Sequence, residues 1–315
     1  MSSLHKNGSR LLNEVTKKGK ALIIPHLIAD VDALASACVM AKILKRRDVD
    51  VGIYIESISP LSPRNIYKYI KKSRFLKKTG GYIIIVDTSS KDFVPELKEE
   101  PFAIIDHHHS IDKLNAKIEL IDEDALSTTE IIWKVFGNEI KEKDALFLAA
   151  GFYSDTFGLH SLINAKHLNH FNEMVKRSGI KDISKIKELA LKRPPVAARD
   201  KMTEALKGIE TLKIGKHLIG YLFHDSIWAV EIADLLSKTG LYDAVFVVKD
   251  RQVIYFRSNN ALPDNAMRII RETMKELDAK GGANKWRGVM RLKNPMSKDQ
   301  FKNLLESKLL AIDKK

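Results

Sequence analysis

Three short and almost purely apolar runs, ALIIP, YIIIV and FAII, each lead straight into a turn that opens on a histidine or an aspartate. A strand that faces water on one side alternates apolar and polar residues. One that is apolar throughout is buried on both faces, the condition of a covered parallel sheet. The stretches between the runs, such as SACVMAKILKRR, carry apolar residues on a wide helical face. Strands alternating with helices imply a mostly parallel sheet, so the first 180 or so residues are constrained to one α/β domain. In such a sheet ligands bind on the turns that leave the carboxyl ends of the strands.

Those turns hold the chemistry. His26-Leu-Ile-Ala-Asp30-Val-Asp32 leaves the first strand, Asp87 ends the second, and Asp106-His107-His108-His109 end the third. Asp155 follows an apolar, alanine-rich helix, EKDALFLAAGFY. Asp30 and Asp32 are close enough in the chain to serve two neighbouring metal ions, and a core has no use for three hard-metal ligands on one turn. Any one strand-end aspartate is, alone, more simply a helix cap. As an ordered set they mark a metal site. His109 stands outside the set as a bystander, and His160, His167 and His170 read as surface or packing residues. Ser127, Thr128 and Thr129 read as caps of the helix STTEIIWKVFG.

The order H-x3-D-x-D, then D, then D-H-H, then D resembles the DHH phosphoesterase family, which includes RecJ-like exonucleases, the oligoribonuclease and pAp-phosphatase group, and family II pyrophosphatases. The resemblance implies an N-terminal catalytic domain over 1–185, a helical linker over 186–205 and a smaller mixed-sheet substrate-binding domain over 206–315. It implies that His26 and Asp30 hold one metal ion, that Asp32, His107 and Asp155 hold another, and that Asp87 bridges them. Asp106 would orient an imidazole, and His108 would face the phosphate. A mixed histidine and aspartate set suits manganese (two ions), with magnesium as the alternative.

In the second half the match is looser. Arg257-Ser258 fits the family's Arg-Ser, and Gly281-Gly282-Ala283-Asn284 stands where a GGGH segment is expected, with Asn284 in place of the histidine. Lys285-Trp286-Arg287 adds a cation, a stacking ring and a guanidinium, which suits a single-stranded nucleotide chain. Trp286 is equally a half-buried strand residue.

Composition separates the remaining function classes. A net charge of +13 persists despite the acidic site; by composition alone this is equally a solvated lysine-rich surface or a surface for a polyanionic partner, and the basic helix expected at 66–78 favours the partner. With one cysteine, Cys38, there is neither a disulfide framework nor a cysteine metal site. No apolar run approaches a membrane span and the start lacks a signal-peptide core, so a cytoplasmic protein is expected. The expectation is a manganese-dependent exonuclease acting on single-stranded DNA or RNA and short oligonucleotides, with a replication or repair protein as a further partner. The alternatives are a small-molecule phosphoesterase acting on pAp or dinucleotides, and a replication-associated scaffold.

Overall fold

The computed structural model describes residues 3–59, 62–63, 81–108, 113–160, 164–190, 196–214, 216–258, 272–273, 275–283 and 287–313. The chain divides into two compact units, one running to Arg193 and the other starting at Pro194. The N-terminal unit runs α1 (Ser3–Lys18), β1 (Lys20–Pro25), β2 (Ile28–Ala29), α2 (Val31–Lys45), β3 (Asp50–Ile53), β4 (Ser57–Ile58), β5 (Tyr82–Val86), β6 (Ala103–Asp106) and β7 (Ile118–Ile121). It continues through α3 (Thr128–Phe136), α4 (Glu142–Asp155), α5 (Ala165–Arg177) and α6 (Ser184–Ala190).

Its main sheet is parallel throughout, in the order β3-β1-β5-β6-β7. Counting only these five strands, the order is 2-1-3-4-5, the doubly wound arrangement whose crevice opens between the first and third. Both sheet faces are covered, which is why the strands are apolar without alternation. Ala21 and Ile23 of β1 join the large core shared with α1, α2, α3 and α4, whereas Leu22 and Ile24 join a thinner layer with Ile85, Val94 and Ile104.

Register then aligns the strand ends. Pro25 lies opposite Val86, and Val86 opposite Ile105, so the next residues in each strand, His26, Asp87 and Asp106, leave the sheet side by side. The charge pattern of KDFVPELKEE reads as a helix, but none forms there. Only a 3-10 turn at Lys91–Phe93 appears, because Pro95 forces Val94 into extended backbone (φ −114°, ψ 154°).

The C-terminal unit runs α7 (Val196–Leu206), β8 (Glu210–Ile214), β9 (His217–Phe223), α8 (Ala229–Lys238), β10 (Ala244–Lys249), β11 (Val253–Ser258), β12 (Lys280–Ala283), β13 (Arg287–Arg291) and α9 (Lys298–Asp313). Its mixed six-stranded sheet has the order β12-β13-β11-β10-β9-β8, with only β9 and β10 parallel. Asp250-Arg251, which reads as a tight turn between two strands, takes positive φ at both residues (51° and 56°); the Gln252 amide donates to the Lys249 carbonyl at 3.0 Å, and three residues separate the paired Lys249 and Val253. β8 lies in a stretch that reads as helical. Its alternation is only five residues long, and Leu212 is the buried residue that pins it. The basic helix at 66–78 lies outside the described residues. The stretch DNAMRIIRETMKELDAKGG, which reads as a helix, lies partly outside them.

Candidate metal centre

At the carboxyl edge of the parallel sheet, β1 delivers His26, β5 delivers Asp87 and β6 delivers Asp106, with His107 and His108 following. Asp30 caps α2, accepting a hydrogen bond from the Ala33 amide at 3.1 Å, so it is a helix cap and a site residue at once. Asp32 stands in the first turn of α2, and Asp155 is the last residue of α4.

Two groups of donors result. His26, Asp30 and Asp87 present ligand atoms within 4.8 Å of one another, and so do Asp32, His107 and Asp155. Asp87 lies between them: one oxygen is 3.5 Å from His26 Nε2 and the other 3.6 Å from His107 Nε2. His107 Nε2 is 3.2 Å from Asp155, while its Nδ1 faces the Ala125 carbonyl at 3.3 Å, an arrangement that turns Nε2 toward the acids. His108 Nδ1 pairs with Asp106 at 2.8 Å and lies 3.8 Å from Asp87.

One backbone device was invisible in the sequence. The Thr128 and Thr129 amides, at the N-terminus of α3, donate to the two oxygens of Asp32 at 2.7 and 3.0 Å. The Thr128 hydroxyl donates to Asp87 at 2.8 Å. A helix N-terminus thus grips two of the acids, as its exposed amides and dipole allow. Ser127 is the cap expected of it, accepting from the Glu130 amide at 3.1 Å. Gly151 of α4 makes room for this packing, since a Cβ there would come within 2.9 Å of Asp32. Asp87 itself sits at φ +63°, a conformation uncommon outside glycine and concentrated at functional sites.

Electrostatically the centre is loaded with negative charge. Burial, then the charges of Asp87, Asp155 and Asp30, push the Asp32 carboxyl well above its usual range. Burial works against a charged His26 ring, but Asp30 and Asp87 outweigh it and hold its pKa up at about 10. Burial likewise opposes ionisation of Asp30, and His26 outweighs it, holding this carboxyl below its usual value. Asp106 is also held low against its burial, chiefly by His108. Asp32, Asp87 and Asp155 are all buried within one cluster, a repulsion that divalent cations relieve. Imidazole nitrogen and carboxylate oxygen are donors for that class of ion, so the residues fit it.

The residues expected to bind substrate all belong to the C-terminal unit. Arg257 is buried in β11; its Nε pairs with Asp234 of α8 and its guanidinium donates to the Phe256 carbonyl at 2.8 Å. Ser258 ends β11 and Arg287 begins β13, both half-buried. Gly281 and Gly282 are not a loop but part of edge strand β12. Gly281 has φ +133°, and a Cβ there would come within 2.1 Å of the Val289 carbonyl oxygen, so the pairing with β13 requires glycine. Asn284, Lys285 and Trp286 lie outside the described residues.

Comparison with known proteins places this architecture. No curated protein sequence matches the chain. Among solved structures, an exopolyphosphatase-related protein from Bacteroides fragilis is similar over 98% of both chains, with a TM-score of 0.70 and 15% identity. The DHH domain of a member of the s1p family of ribosomal proteins aligns with 99% of this chain and 93% of its own, at a TM-score of 0.62 and 10% identity. RecJ from Thermus thermophilus in complex with Mn2+ aligns with 98% of this chain but 54% of its own, with a TM-score of 0.51 and 13% identity. Residues 20–152, which span β1 to α4 and nearly all of the donors described above, match the sequence profile of the DHH family, N-terminal domain. Within the N-terminal unit, residues 20–152 are therefore the stretch that is similar to the DHH family.

Proposed function

We propose that the chain is a metal-dependent phosphodiesterase, and specifically a manganese-dependent exonuclease acting on single-stranded DNA or RNA and on short oligonucleotides. The observation that carries this reading is the pair of histidine and aspartate groups that share Asp87 at the crevice of the parallel sheet. His26 and Asp30 would hold one ion, Asp32, His107 and Asp155 the other, and Asp87 both. Two divalent cations so held supply the positive charge that phosphoryl transfer needs and lower the pKa of water.

The protein's own groups do the rest. The α3 amides fix Asp32 so that it does not reorient as charge moves. Asp106 engages Nδ1 of His108 and leaves Nε2 to face the phosphate, where it can deliver a proton to the leaving oxygen. Asp106 is thus a positioning residue for a catalytic His108. Ser258, Gly282 and Arg287 are the proposed contacts of the C-terminal unit with the nucleotide chain, and the surplus of 13 positive charges favours a polyanion. The Mn2+ in the similar RecJ structure supports the choice of manganese.

The test is hydrolysis of end-labelled single-stranded DNA and RNA oligomers, of pAp and of polyphosphate. Each is run with manganese, magnesium or EDTA beside Asp87→Ala. Stepwise shortening of oligomers that needs metal and Asp87 is expected. Turnover of pAp or polyphosphate alone would move the substrate class, and no turnover of any substrate would overturn the reading.

A further inference from the structure

Away from the paired centre, α3 and α5 bring together three groups of a kind the rest of the fold does not explain. Glu130, the third residue of α3, is wholly buried. Its Oε2 accepts from the Leu126 amide at 2.8 Å, which fixes the carboxylate plane. Its Oε1 faces two imidazoles at once, His167 Nδ1 at 2.8 Å and His170 Nδ1 at 2.6 Å. His167 and His170 stand three apart on α5, the spacing that puts two side chains on one helix face.

We propose that Glu130, His167 and His170 form a separate binding site for one transition-metal ion of the zinc class. The three ligand atoms lie within 4.8 Å of one another. Two neutral imidazoles and one carboxylate are a donor set that selects zinc-like ions over calcium or magnesium, and three protein ligands leave a fourth position for water. The side chain of His170, 18% exposed, lies on the side from which ion and water enter.

Charge supports the same assignment. The two histidines outweigh the burial of Glu130 and hold its carboxyl down at about 2, so the group is an anion inside the protein. A buried carboxylate with two imidazole nitrogens beside it is a ready anionic ligand for a divalent cation. Two imidazole nitrogens and one carboxylate oxygen bring three donor atoms to one place, the arrangement a metal ion takes. The Leu126 amide is the outer partner that orients a ligating carboxylate. Ligand atoms around a tetrahedral zinc-class ion sit about 3.3 Å apart, so the two rings must each move back from the carboxylate by roughly half an ångström or more to admit it.

The site is separate from the paired centre but joined to it by one turn of helix. Glu130 directly follows Thr128 and Thr129, whose amides grip Asp32. An ion here would lock α5 onto α3 and hold that N-terminus in place.

The experiment counts ions. The chain is stripped with chelator, equilibrated with zinc, freed of excess by gel filtration and assayed for zinc per chain by elemental analysis. His170→Gln is expected to hold one ion fewer than the unaltered chain, and Asp87→Asn to retain that ion. Folding of His170→Gln is supported by links that do not involve this residue. The Trp133 indole donates to Glu173 at 3.1 Å, and Arg177 donates to the Ile140 carbonyl at 3.1 Å. In the unaltered chain, zinc is expected to shift the Nδ1 resonances of both His167 and His170, a readout independent of any variant. Equal zinc counts in the two chains, or histidine resonances unmoved by zinc, would overturn the proposal and leave a hydrogen-bonded ion pair. Neither readout depends on phosphodiesterase activity, so the two proposals fail separately.

Discussion

At the edge of the N-terminal sheet, Asp32, Asp87 and Asp155 are buried together, with His26 and His107 beside them as counter-charge. Under the C-terminal sheet, the buried Arg257 lies directly against Asp234 and is also satisfied by a backbone carbonyl. The first arrangement is costly unless something arrives to complete it; the second is complete as folded. Charge left unbalanced at a sheet's ligand edge is where this molecule stores function, and charge balanced between a strand and a helix is where it stores stability.

The sharpest way to break that contrast is to remove Asp87. Asp87→Ala should lower phosphodiesterase turnover by about 10³-fold or more, because several kcal/mol of metal-borne stabilisation is lost and each 1.36 kcal/mol is tenfold in rate. Steady-state kinetics on a labelled oligomer with saturating manganese measures it. Next in size, Arg257→Ala should destabilise the C-terminal unit by about 3 kcal/mol in urea unfolding, since it removes the buried partner of the half-buried Asp234. An unchanged unfolding midpoint with a raised KM would instead make Arg257 a substrate contact.

Metal itself sharpens the comparison. Manganese at 100 times its dissociation constant should add about 2.7 kcal/mol to the stability of the N-terminal unit, and EDTA should remove it. Asp87→Asn, which keeps a residue tolerant of positive φ, should raise the metal-free Tm while abolishing that gain. A calorimetric scan with and without metal separates these outcomes.

The smallest effect concerns Glu231 of α8, whose pKa is raised from 4.5 to about 7, first of all by burial. The folded chain therefore holds a proton there that the unfolded chain has released, so stability falls as pH rises through that window. Glu231→Gln should gain about 1–2 kcal/mol at pH 8 and nothing at pH 4, after allowance for partial exposure. Urea midpoints at the two pH values test the sign.

What could be read from the residue order follows from how local each signal is. His26, Asp87 and Asp106 were legible because an apolar run announces a buried strand, and parallel register lines up the strand ends. The grip of α3 on Asp32 was not, because no local pattern links residues 96 apart. Pro95 cancelled an otherwise helical stretch, a signal present in the sequence but outweighed by its charge pattern. β8 was hidden because five residues alternate too briefly to stand out from the charged helices before it. His167 and His170 carried a usable clue in their spacing, but the partner that gives it meaning, Glu130, is 37 positions from the nearer of them.

The bond between Thr128 and Asp32 also has a meaning in time. The first strand-to-helix turn is made early in synthesis, yet its aspartate finds its partners only after another 96 residues have been added. Loop closure over such a distance is slow and is rewarded only once the intervening parallel strands have docked. The centre therefore cannot guide the collapse of its own domain. It is assembled late, and a nascent chain has no complete pair of donor groups until α4 has followed α3 into place.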